Sequence, residues 1–121
     1  MLATRLLRRA FLALILLGAA QAADAHAILM NGYPLPNSTM PAGTAAIRLR
    51  FNSRIDVARS RLTLITPDGA EHRLHARPGP TPDIMEADTP ISAGAGELHW
   101  QVLAIDGHIT RGVIPFTAMA R

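Results

Sequence analysis

The sequence contains no cysteine and no lysine, and it is poor in aromatic residues. Without cysteine there can be no disulfide, thiolate zinc site or cysteine nucleophile, so any metal ligand must be a histidine, a carboxylate, a methionine or a free amino terminus. With one Trp and one Tyr, the chain lacks an aromatic platform on which nucleic-acid bases could stack. Nucleophile-elbow, phosphate-loop and HExxH signatures are also absent from the sequence.

The amino terminus has the features of a cleaved export signal. Three arginines precede the apolar run 11–20, and Ala23-Asp24-Ala25 is a small-residue cleavage site. Because the run is shorter than the ~20 apolar residues of a membrane helix, an uncleaved anchor is disfavoured. We therefore predict a signal peptide at 1–25, one domain at 26–121 and a periplasmic location. Arg8-Arg9 partly matches a twin-arginine signal, which leaves the export route open.

The charge of the mature chain is close to neutral. Three of the twelve basic residues and one of the nine acidic residues fall within the signal, which leaves a formal charge of about +1. This balance argues against a nucleic-acid partner.

Apolar and polar residues alternate along the mature chain, and turns rich in Pro, Gly, Asn and Asp separate the alternating segments. In one segment Leu98, Trp100 and Val102 are predicted to face inward. About seven short strands without a convincing amphipathic helix indicate an all-β sandwich, with a small β-barrel as the alternative. The clearest predicted strands span residues 46–51, 61–66, 71–76, 83–87 (a short edge strand), 97–103 and 113–119.

Cleavage after Ala25 would make His26 the first residue of the mature chain. That one residue offers two nitrogens, its free α-amine and its imidazole Nδ1, which together can close a chelate ring on a metal ion. The α-amine titrates near neutral pH, so a metal can displace its proton. Two nitrogens in one plane suit Cu(II), which favours tetragonal N,O geometry. The alternative is that a histidine follows the cleavage site by coincidence.

Asp106 and His108 form the second candidate pair. In an extended segment, residues two apart point to the same side, and Gly107 between them lets the backbone approach closely. One carboxylate oxygen and one imidazole nitrogen can then enter the same coordination sphere. Asp-Gly is also an ordinary hairpin-turn dipeptide, so a solvated loop histidine is the alternative.

The remaining histidines and the methionines offer weaker candidates. His72, His75 and His99 lie on predicted strands and are expected to be solvated surface residues. The methionines are scattered rather than clustered, although Cu(I) prefers groups of soft thioethers.

With these segments in place, the chain resembles the CopC family of periplasmic copper-binding proteins. The specific part is a W-x5-DGH segment followed by a G-x3-F strand, combined with a histidine at the cut site. The resemblance covers nearly all of the mature chain, through residues 26–29, 37–43, 47–52, 96–108, 111–112 and 115–117.

The resemblance implies an Ig-like Greek-key β-sandwich that holds Cu(II) in a histidine brace. His26 would supply its amine and imidazole, His108 the opposing imidazole, and Asp106 an axial or equatorial oxygen. Family members are linked to copper tolerance or uptake, often beside a CopD-type inner-membrane protein. We expect a monomer.

Two departures from the family pattern stand out. Many members carry a glutamate just after the early strand, whereas this chain has no acid there until Asp56. Some members have a methionine-rich loop for Cu(I), whereas the corresponding stretch here offers only Met85, which predicts a site for Cu(II) alone.

Two functions other than copper carriage are compatible with these features. Histidine braces also occur in copper oxygenases that attack polysaccharides, but such an enzyme needs an open coordination position and a flat substrate face. Three nitrogens and one carboxylate would nearly fill a tetragonal site, so we expect a carrier or buffer and not an enzyme. The other possibility is an interaction module on a membrane copper transporter, which would keep its function without both His26 and His108.

Overall fold

The computed structural model describes residues 27–121, which form nine strands and no helix. Accordingly, this part of the chain has no helix with the length and apolarity of a membrane span. The strands are β1 (Leu29–Tyr33), β2 (Ser38–Pro41), β3 (Gly43–Phe51), β4 (Ile55–Ile65), β5 (Glu71–Arg73), β6 (Arg77–Pro78), β7 (Ile84–Ile91), β8 (Gly94–Ala104) and β9 (Ile109–Met119).

The strands form two separate sheets. One sheet has the order β1-β3-β7-β6, and the other has the order β2-β9-β8-β4-β5. Every pairing is antiparallel except that of β2 with β9, which is parallel. Two facing sheets confirm the predicted β-sandwich over the small barrel.

The core lies between the inward faces of the two sheets. In β8 the predicted alternation is confirmed, since Leu98, Trp100 and Val102 are buried while their neighbours are at least partly exposed. Phe51 of β3 meets Trp100 edge to face, with ring centroids 5.2 Å apart and an interplanar angle of 67°. Because the chain has no disulfide, burial of this apolar surface is the main source of its stability.

Strand β4 begins at Ile55, earlier than the predicted start at residue 61. A register shift between Asp56 and Arg61 interrupts the alternation from which the strand was predicted. The Ser60 hydroxyl spans this irregularity: it donates to the Asp56 carbonyl at 2.6 Å and accepts the Leu103 N–H at 3.1 Å.

Other strands also differ from the prediction: β5 ends at Arg73 and not at residue 76, and β9 begins at Ile109 and not at residue 113. The segment 83–87 was expected to be an edge strand, but β7 extends to Ile91 and lies between β3 and β6. The edge prediction was wrong because the actual edge strand, β6, was not predicted. It has only two residues, and its segment was predicted to be a loop from its prolines and glycine. The four-residue β2 was not predicted, for the same reason.

Gly112 makes room for the core tryptophan, which provides a test of this packing. The two residues face each other across β8 and β9, and a Cβ atom at position 112 would overlap the indole ring of Trp100. We expect Gly112→Ala to lower the free energy of unfolding by about 1–3 kcal/mol, since the ring must shift. Denaturant unfolding followed by Trp fluorescence measures the change.

The matched control is Val113→Ala, at an exposed position on the same strand. This change should alter the free energy of unfolding by less than about 0.5 kcal/mol. If Gly112→Ala were as mild as the control, the close Gly112–Trp100 packing would be contradicted.

Candidate metal centre

The segment containing Asp106 and His108 is the tight connection between β8 and β9. The Ala104 N–H donates to the His108 carbonyl at 2.8 Å, and the Gly107 N–H donates to the Ala104 carbonyl at 2.9 Å. Gly107 has φ +93°. A Cβ atom there would meet nothing within 4 Å, so glycine is needed for the left-handed backbone and not, as expected, for close approach.

Asp106 and His108 are adjacent in this turn. One oxygen of Asp106 accepts the backbone N–H of His108 at 3.1 Å, and the other lies 3.2 Å from Nδ1 of the His108 ring. Their side chains are 39% and 52% exposed. The pair was expected to meet through an extended segment, whereas a turn brings the two side chains together.

The carboxyl of Asp106 is stabilised in its charged form. The backbone N–H of His108, and then the His108 ring, hold the pKa of this carboxyl below its ordinary value despite an opposing effect of desolvation. The turn therefore presents an ionised oxygen next to an imidazole, a donor pair that suits a divalent metal with N,O preferences.

The start of the described chain is anchored at the same end of the sandwich. Ala27 is fully buried. The Ile28 N–H donates to the side-chain oxygen of Asn52 at 2.7 Å, and the Asn52 N–H donates back to the Ile28 carbonyl at 2.9 Å. Both bonds join the amino-terminal segment to the turn between β3 and β4.

That turn also contacts the β8–β9 connection. The Ile105 N–H donates to the Arg54 carbonyl at 3.2 Å, and Ile105 is the residue immediately before Asp106. A path of hydrogen bonds therefore runs from Ile28 through the turn at 52–54 to the segment that carries Asp106 and His108. Sequence reasoning missed this path because backbone carbonyls leave no signature in a sequence.

His26, the third predicted ligand, lies outside the described residues. Within residues 27–121 no group of three or more His, Cys, Asp or Glu side chains is arranged to hold a metal ion. This part of the chain thus offers two of the predicted donor residues side by side, and a complete metal site needs donors from elsewhere.

The other histidines make local contacts. Nε2 of His99 lies 2.6 Å from a carboxylate oxygen of Glu97, two residues away on β8. Nε2 of His72 lies 3.4 Å from the Thr66 hydroxyl, and both His72 and His75 are exposed. These positions agree with the surface roles predicted for His72 and His75, and His99 is partly exposed.

The CopC domain family matches residues 29–119, which is most of the chain. The chain belongs to the CopC family. Among curated relatives, copper resistance protein C of Xanthomonas campestris pv. juglandis is 32% identical over 108 residues, covering 82% of this chain and 84% of that protein. Protein YobA of Escherichia coli K12 is 26% identical over 97 residues, covering 77% and 78% respectively.

Solved structures agree with this CopC assignment. The crystal structure of CopC from Methylosinus trichosporium OB3b gives a TM-score of 0.70 at 22% identity, covering 79% of this chain and 96% of that one, a likeness of fold. PcoC from Escherichia coli, a methionine-rich copper resistance protein, gives a TM-score of 0.61 at 26% identity and covers 78% and 100%. The resemblance inferred from the sequence is therefore confirmed.

The β8–β9 turn of this CopC domain depends on the positive φ of Gly107. We expect Gly107→Ala to lower the free energy of unfolding by about 1–2 kcal/mol, because an L side chain is strained at that φ. Thermal or denaturant unfolding measures the loss. Ile105→Ala in the same turn is the control and should stay within about 0.5 kcal/mol, since Ile105 is 73% exposed. An equally small effect of both changes would contradict the turn geometry.

Proposed function

We propose that this CopC-family protein is a periplasmic Cu(II) carrier for copper resistance, homeostasis or uptake. The copper ligands are the amine and imidazole of His26, the imidazole of His108 and the carboxylate of Asp106. The protein passes its ion to a membrane partner of the CopD type.

The hydrogen-bond path from Ile28 to Ile105 is the observation that carries this proposal. His26 precedes Ile28 by two residues, a reach of about 7 Å in an extended chain. Because the path fixes Ile28 and the Asp106–His108 turn at one end of the sandwich, a terminal chelate at His26 and the donors of the turn can share one ion.

The contact between Asp106 and His108 suits a ligating histidine. Ligands of one metal ion must lie close together, and Nδ1 of His108 is 3.2 Å from an oxygen of Asp106. In the proposed site the imidazole and the carboxylate therefore bind the same ion side by side. The Asp106 carboxyl is held in its charged form by the His108 N–H, which is the form that a metal binds.

The number of proposed donors favours carriage over catalysis. Two nitrogens from His26, one from His108 and one oxygen from Asp106 make four, which matches the tetragonal preference of Cu(II). A site filled by protein ligands leaves no strong position for a reacting molecule. The protein would therefore hold and release copper without chemical turnover.

Extending the amino terminus tests the terminal chelate. Cu(II) titration followed by EPR should show one tight equivalent with a nitrogen-rich tetragonal spectrum for protein that begins at His26. One added residue before His26 removes the amine from the chelate ring, so we expect affinity to fall by at least about a hundredfold. Retention of the same affinity and spectrum in the extended form would refute the assignment of His26.

Substitution of the histidines tests the remainder of the site in the same titration. His108→Ala should also weaken binding by about a hundredfold, since it removes a ligand. His72→Ala and His75→Ala are matched controls on the exposed surface and should change affinity less than about twofold. Similar losses from all three changes would count against a site at His108.

A growth experiment separates copper carriage from a metal-free interaction role. In a strain from which this gene has been deleted, the unchanged protein should restore normal growth under copper challenge or limitation. A variant lacking both the His26 and His108 imidazoles, expressed at the same level, should not. Full restoration by that variant would favour an interaction module that works without its own copper.

A further inference from the structure

Asn52 connects to the amino-terminal segment at two points. Its side-chain oxygen accepts the Ile28 N–H at 2.7 Å, and its backbone N–H donates to the Ile28 carbonyl at 2.9 Å. Both polar groups of the Ile28 backbone are thereby held by one residue. The β1–β3 pairing ends at Leu29, opposite Phe51, so the bonds to Asn52 restrain the chain one residue further toward the terminus.

The position of Asn52 gives this restraint a consequence for metal binding. Asn52 is separated by one residue from Arg54, whose carbonyl accepts the Ile105 N–H next to Asp106. Ala27, between Ile28 and His26, is fully buried, so little slack remains in the segment that leads to the terminus. A displacement of Ile28 would therefore move the terminal donors relative to the Asp106–His108 turn.

We propose that Asn52 is a positioning residue of the copper site, which fixes the terminal donors of His26 relative to Asp106 and His108 by holding Ile28 at both its N–H and its carbonyl. This inference rests on the proposed function. Asn52 does not touch the ion in this arrangement. Its side-chain oxygen acts through the backbone, in the manner of groups that orient metal ligands and whose loss costs about 10–100-fold in metal affinity.

A double-substitution cycle tests this role with Cu(II) alone as the probe. Cu(II) affinity is measured by chelator competition for protein that begins at His26, with and without Asn52→Ala. The same pair is then compared in the form with one residue added before His26. In the native-terminus form we expect Asn52→Ala to lower affinity about tenfold and to broaden or shift the EPR spectrum. In the extended form, where the terminal chelate is already lost, the same change should alter affinity less than about twofold.

Two variants serve as matched comparisons. Asn52→Asp keeps an acceptor oxygen at the same reach and should bind Cu(II) no more weakly than the unchanged protein. Asn31→Ala removes another exposed asparagine, whose side-chain oxygen accepts only the neighbouring Gly32 N–H at 2.9 Å, and should leave the affinity unchanged. If Asn52→Ala does not fold, Asn52→Gln decides, because it keeps the amide but moves its oxygen outward and should show the same loss.

The possible results distinguish a failure of the role of Asn52 from a failure of the proposed function. Tight binding by the unchanged protein with no effect of Asn52→Ala would overturn the positioning role and leave the proposed function standing. Equal losses in the native and extended forms would also overturn it, because Asn52 would then act on the fold or on the turn. Absence of tight Cu(II) binding by the unchanged protein would overturn both the proposed function and the role of Asn52.

Discussion

The edge-to-face contact between Phe51 and Trp100 joins the two sheets, and the rest of the structure depends on their packing. It links β3 of the four-stranded sheet to β8 of the five-stranded sheet, with the rings 5.2 Å apart. Aromatic pairs of this kind bury large areas and add about 0.5–1.5 kcal/mol beyond burial alone. In a domain without disulfides, such packing must keep the two sheets in one relative position.

That relative position matters because the proposed copper site needs donors from both sheets. The amino-terminal segment and Asn52 belong to the β1–β3 side, whereas Asp106 and His108 connect β8 to β9. Phe51 immediately precedes Asn52, so the same strand end carries both the core contact and the hydrogen bonds to Ile28. The Arg54–Ile105 bond then ties the two halves together at the surface. Core packing and site geometry are thus coupled through a few consecutive residues.

The sequence predicted the features that depend on the local alternation of apolar and polar residues. The inward set of β8 was visible in the sequence, because period-2 alternation is a local property. The proximity of Asp106 and His108 was also predicted, but from an extended segment, whereas a turn brings the two side chains together. The bulge at Ser60, the parallel strand β2 and the inner position of β7 were not visible, since each depends on which distant segment lies alongside. Gly107 shows an intermediate case: the residue was singled out correctly, but its reason is backbone conformation and not close approach.

The proposed use of the amino terminus as a ligand makes copper binding conditional on export. While residues 1–25 remain attached, the nitrogen of His26 belongs to a peptide bond and cannot provide the amine donor. In the proposed site, cleavage releases that amine two residues before Ile28, whose backbone Asn52 holds at both its N–H and its carbonyl. Within the described residues, Asp106 and His108 are two donors on an exposed turn, which is too few for a closed tetragonal site. A precursor on the cytoplasmic side would therefore compete poorly for copper, and full affinity would arise where the signal is removed.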